Sequence, residues 1–179
     1  LDAAGGGDFT TLQQVVDGTV DGDFVLVRPG DYENPTSYPG ATFGNKALSI
    51  VADGTGPVDF PSVRIVNVPA GKVFVLRGLR FVNDFPLGVD LFRLQVDGSA
   101  GLVLIEDCLV EGSSEAFVGL PTVALNVASA NVALTSCELV GPPAGDDTLS
   151  TLGGPPGNWA LRTLAAHVSL TDCSLTGGA

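Results

Sequence analysis

The chain has 179 residues, 45% of them hydrophobic, and its eight Lys or Arg against 20 Asp or Glu give a formal charge of −12. That length is enough for one domain with a real core. The charge excludes nucleic acid as a partner, since phosphate contacts need clustered Lys and Arg, and no apolar run approaches the ~18 residues of a membrane span.

Gly (24) and Pro (12) are abundant and only 16% of residues are charged, a composition suited to short buried strands joined by tight turns rather than to helices. Residues 1–7 are small and Gly-rich and read as a loose or capping lead-in. Phe9, Leu12, Val15 and Val16 then recur at helical spacing. Thr10 and Gln13 fit a capping box, and Gly18 suits the position just past a helix end. The expectation is a short amphipathic helix within a 1–22 cap, covering the first turn of a solenoid that occupies 23–179.

Phe24-Val25-Leu26-Val27 reads as the first strand, Arg28 to Tyr32 as a turn, Glu33 to Lys46 as a polar excursion, and Ala47 to Val51 as another strand. From Val63 the chain becomes regular. Phe74–Phe81, Val103–Val110, Val132–Leu139 and Val168–Leu175 each carry apolar residues at relative positions one, three, six and eight. Position six is Leu79, Cys108, Cys137 or Cys173. A first strand precedes each such segment: 63–68, 91–96, 123–127 and 159–164. The excursions between coils are 84–90, 113–121 and 142–158, the kind of insertion that builds a binding face on a solenoid. A repeated unit of this kind predicts an all-β, right-handed parallel β-helix of about six coils rising ~4.8 Å each.

The three Cys, spaced 29 and 36 residues apart, match no zinc pattern. Each alternates with aliphatic neighbours, so Cys108, Cys137 and Cys173, with Leu79, read as a structural column of buried small groups. Trp159 and Phe92 lie on strands and read as core, while Phe117 could offer a sugar-stacking ring. His167, the single His, opens a strand at the position of Gly101 and Asn131 and reads as exposed, so no Ser-His-Asp set arises.

The opening Gly5 to Val16, followed by Asp21 to Tyr32, resembles the N-terminal cap and first coil of the pectin lyase-like superfamily, and is most similar to pectin methylesterases and to β-helix repeat proteins. This resemblance implies the same right-handed parallel β-helix. For the esterases it implies two catalytic Asp and supporting Gln residues acting on methyl esters of a polygalacturonate. Asp147 falls where the family has a catalytic acid. However, Asp146 replaces the family's Gln, Pro121 stands where an oxyanion-stabilising Gln is expected, and no nucleophilic Asp follows Cys173 to Gly178. Against the family role, Asp147 reads as an acid of a Pro- and Gly-rich loop.

Polysaccharide lyases on this fold would need a basic residue near calcium-binding acids. The candidates are Asp84, Asp90, Asp97, Glu106, Asp107 and Glu111, near Arg77, Arg80 and Arg93, with ligand-binding weight on Asp84, Asp90, Asp97, Arg93 and Glu111. Calcium (Ca2+) is the one cofactor this pattern admits. A surface ladder of Arg and carboxylate groups is the simpler account.

The leading expectation is a non-catalytic β-helix domain that is a scaffold or glycan-recognition surface, with polysaccharide as partner. The alternative is the N-terminal portion of a carbohydrate-active esterase or lyase. A further alternative is a module that self-associates through an exposed coil end. With no Met and no signal peptide visible, removal of a secretion signal is expected, placing the protein outside the cell or in the cell envelope.

Overall fold

The computed structural model describes residues 1–32, 40–82, 92–112, 123–142 and 159–177. They form one short helix, α1 (Leu12–Gly18), and three all-parallel sheets. The first sheet holds β1 (Phe24–Val27), β4 (Ser49–Ala52), β7 (Val73–Arg77), β10 (Leu102–Glu106), β13 (Asn131–Thr135) and β16 (His167–Thr171). The second holds β2 (Gly30–Asp31), β5 (Val58–Phe60), β8 (Arg80–Phe81), β11 (Leu109–Glu111), β14 (Glu138–Val140) and β17 (Ser174–Thr176). The third holds β3 (Ala41–Gly44), β6 (Val63–Val66), β9 (Phe92–Asp97), β12 (Val123–Ala128) and β15 (Trp159–Leu164). Each sheet takes every third strand in chain order, so the chain winds as a parallel β-helix.

The register is the one the repeat predicts. Phe74, Val103, Val132 and Val168 are direct partners, as are Leu76, Ile105, Leu134 and Leu170. Inward residues therefore stack on like residues. The rings of Tyr32, Phe60 and Phe81 follow one another at centroid distances of 5.5 and 5.9 Å, edge to face, a geometry that adds to area burial.

Two columns of backbone make the sharp corners. The residue after each strand β7, β10, β13 and β16 has positive φ: Gly78 (69°), Asp107 (52°), Ser136 (53°) and Asp172 (52°). After β3, β6, β9, β12 and β15 the same role falls to Asn45, Asn67, Gly98, Ser129 and Ala165. Gly, Asn and Asp tolerate this left-handed region, whereas Ser and Ala are strained there.

The cap departs from the sequence expectation in three ways. The capping box is Thr11 with Gln14, not Thr10 with Gln13: the Gln14 amide donates to Thr11 Oγ1 (3.2 Å) and the Thr11 amide donates to Gln14 Oε1 (3.3 Å). Starting the helix there places both Leu12 and Val15 in the core. Gly18 is the last residue of the helix rather than the residue after it, and it packs so close to the Phe9 ring that a Cβ there would come within 2.6 Å of it. The lead-in is also tied down. Leu1 and Asp2 are buried, and the Leu1 ammonium donates to the Leu26 carbonyl at 2.7 Å.

Two further expectations are corrected. The segment 33–46 is not wholly an excursion, since β3 closes the first coil by pairing with β6 and burying Ala41 and Phe43. Trp159 is not core: it is 46% exposed, because β15 is the edge strand of the third sheet. Phe92 is half-buried.

Candidate functional site

The outer face of the third sheet gathers planar, hydrogen-bonding side chains. Inward residues such as Phe43, Ile65, Val96 and Val127 are paired in register and buried. Strand alternation turns their neighbours outward. The central polar column runs Thr42, Arg64, Gln95, Asn126 and Arg162, each the register partner of the next; Asn126 is buried and the other four are partly exposed. Adjacent rungs are therefore ~4.8 Å apart. Two flanking positions add Arg93 and Asp97 from β9.

Asp97 pairs with Arg64 (Nη2 to Oδ2, 3.2 Å), both side chains being partly exposed. Arg93 is 1% exposed, and its Nε donates to the Glu111 carbonyl at 3.0 Å. Arg64 and Arg162 are the partly exposed basic residues of this face, Arg64 being paired with Asp97, while Arg93 is buried.

The structure brings some sequence candidates together and separates others. Arg93 and Glu111 meet where the second sheet turns into the third, while Asp97 lies at the far end of β9 beside Arg64. Asp84, Asp90, Asp147 and Phe117 lie outside the described residues. Glu106 and Asp107 end β10 and face Arg77, whose Nε lies 4.0 and 3.6 Å from their carboxylates. Arg80 Nε is 3.2 Å from Asp59 Oδ1 without the alignment of a hydrogen bond. The Arg77 pairs are ladder contacts on exposed surface, each worth little. Among the described residues no three His, Cys, Asp or Glu side chains gather closely enough to hold a metal ion.

The thiols are placed for packing. Cys108, Cys137 and Cys173 follow the left-handed corner residues of successive coils, in the column that begins with fully buried Leu79. All three are free, and the first two are buried. Cys108 Sγ donates to the Glu106 carbonyl (3.2 Å) and Cys137 Sγ to the Ile105 and Thr135 carbonyls (3.3 Å each). Burial pushes the Cys108 thiol up to about 12 and raises Cys137 as well. Thiols held protonated in this way are not nucleophiles. His167 is exposed at the start of β16, level with Asn131 and Leu102 rather than Gly101.

The polar column was not found from sequence. Its members are separated by connections of unequal length, so Arg64, Gln95, Asn126 and Arg162 do not align by eye. Carrying the Cys-anchored register back into the preceding strand of each coil would have found it.

No family model, curated protein or solved structure matches this chain.

Proposed function

We propose that this protein is a non-catalytic β-helix domain, secreted or in the cell envelope, that acts as a scaffold and recognises a polysaccharide on the outer face of its third sheet. The observation that carries the reading is the partly exposed column of Thr42, Arg64, Gln95 and Arg162, with Asn126 buried between the last two. Guanidinium and amide planes supply donors and acceptors suited to hydroxyl and carboxylate groups. A polymer lying along the solenoid axis would meet Thr42, Arg64 and Gln95 at steps of ~4.8 Å and Arg162 two rungs farther on, which favours an extended ligand over a compact one. Recognition rather than turnover is favoured because no described carboxylate, His or thiol on this face forms a nucleophile and base pair.

A second reading, the N-terminal portion of a carbohydrate-active esterase or lyase of the pectin lyase-like type, rests on the resemblance of residues 5–32. The two separate in one assay. The protein is incubated with methylated and unmethylated polyuronates and with neutral glucans, and methanol, unsaturated ends and reducing ends are followed. The proposal expects none of these to form while binding is retained. Release of any of them, abolished by Asp147→Asn, would establish the second reading.

A further inference from the structure

The outer face of the first sheet has the opposite chemistry. In β1, β7 and β10 both sides of the strand are apolar: Val25, Leu76 and Ile105 point inward and are buried. Phe24, Leu26, Val73, Val75, Leu102 and Leu104 point outward. Register joins these outward groups into one surface, with Phe24 leading through Ser49 to Val75 and Leu104, and Val73 beside Leu102. Phe24 is 62% exposed, Leu26 48% and Val73 43%. Clustered aliphatic and aromatic groups on a flat sheet mark an interaction surface more than scattered ones do.

At its β1 end the face opens into a cleft of about 470 Å³, lined by Phe9, Phe24, Leu26 and four carboxylates. Asp2 is paired with Arg28 at 2.9 Å and the Leu1 ammonium lies in the field of Asp8 and Asp53, so the four carboxylates face two cations, while Asp8, Asp23 and Asp53 have no ion pair within 4 Å among the described residues. Farther along, Asp21 pairs with Lys72 (3.0 Å), and Glu106 and Asp107 share Arg77. An apolar floor with surplus negative charge at its edge selects a partner that is apolar in the middle and basic at its ends.

We infer that the outer face of the first sheet, from β1 to β10, docks a short protein segment whose apolar side chains are flanked by Lys or Arg. A second copy of this chain fits less well. Four strands by about five residues make a face of roughly 300 Å², against the ~800 Å² per partner of a stable interface. Two copies would also bring together charges of −12 each. An anionic membrane is opposed by the same charge.

The test is fluorescence anisotropy with a labelled peptide of leucine, valine and phenylalanine between terminal lysine pairs, and with its glutamate-ended counterpart. The protein is compared with F24S/L104S, which alters outward side chains only, and with D8N/D53N, whose carboxylates make no described hydrogen bond. Unchanged denaturation midpoints confirm that the variants fold. The expected result is binding of the lysine peptide alone, weakened by salt and reduced about tenfold by each double variant. The inference is overturned by no binding of the lysine peptide, by equal binding of both peptides, or by affinities the variants do not change. It is also overturned by uptake onto phosphatidylglycerol vesicles without peptide binding, or by sedimentation showing a dimer that F24S/L104S dissociates. Loss of polysaccharide binding leaves this result unaffected, because the two faces share no residue.

Discussion

Replacing Ser136 by Gly should stabilise the protein, and replacing Gly78 by Ala should destabilise it, although the two residues hold equivalent corners of successive coils. Both have positive φ, 53° and 69°. A side chain in this region costs about 1–2 kcal/mol. Glycine in turn loses about 0.5–1 kcal/mol more backbone entropy on folding than alanine does. Ser136 is exposed, so its removal loses no core packing. The net gain for Ser136→Gly is then about 0.5–1 kcal/mol. Gly78→Ala takes on the strain and puts its new Cβ 3.1 Å from the Ala52 side chain, offset in part by the smaller backbone entropy loss of alanine. The net cost is about 0.5–1 kcal/mol. Urea unfolding followed by circular dichroism reads both as midpoint shifts at constant slope. In a chain of this size each kcal/mol moves Tm by about 2–4 °C. Opposite shifts are expected. Destabilisation by Ser136→Gly, or a neutral Gly78→Ala, would refute the view that the corner backbone is fixed by the coil rather than by the residue in it.

Three other outcomes follow from the same structure. The Ala4 amide, and with it the Arg28 guanidinium, holds the Asp2 carboxyl below its usual range, and the Ala47 amide with Lys72 does the same for Asp21. A depressed folded-state pKa contributes stability that is present above the unfolded value and is lost as pH falls through the folded one. Asp2→Asn should therefore flatten the loss of stability below about pH 4, and an unaltered acid limb in urea melts would contradict this. Alkylation of the native protein at pH 8 should modify Cys173 first, since it alone of the three thiols is partly exposed. Peptide mapping that finds Cys108 modified at the unfolded rate would remove the packing role assigned to it. Trp159 fluorescence should be readily quenched by acrylamide, given its 46% exposure, and a shielded indole would place β15 deeper than described.

Much of the fold was legible because a solenoid writes its register into the sequence. Three Cys and Leu79 at one repeat position, with apolar residues on either side, fixed the pairing of β7, β10, β13 and β16. Other features were hidden by local degeneracy. Thr10 and Thr11, and Gln13 and Gln14, satisfy the capping pattern equally, and only the burial of Leu12 and Val15 decides between them. β3 follows a polar, proline-containing stretch and is four residues long, too short for its alternation to stand out. The apolar face of the first sheet was masked because Phe24 to Val27 is apolar on both sides, so sequence gave no contrast between inward and outward. The candidate site was the least legible. Arg93 and Asp97 were picked for their charge, yet Arg93 is buried against a carbonyl and Asp97 is taken up by Arg64. The neutral members Gln95 and Asn126 gain meaning only from the strands beside them.

The most direct measurement is the mobility of the native protein in gels cast with acidic or neutral polysaccharides, run beside R64A/Q95A and F24S/L104S. Retardation of the wild type and of F24S/L104S by at least one polysaccharide, lost in R64A/Q95A, is the predicted result. Equal mobility of all three proteins with every polysaccharide, or retardation that R64A/Q95A preserves, would contradict recognition on the third sheet.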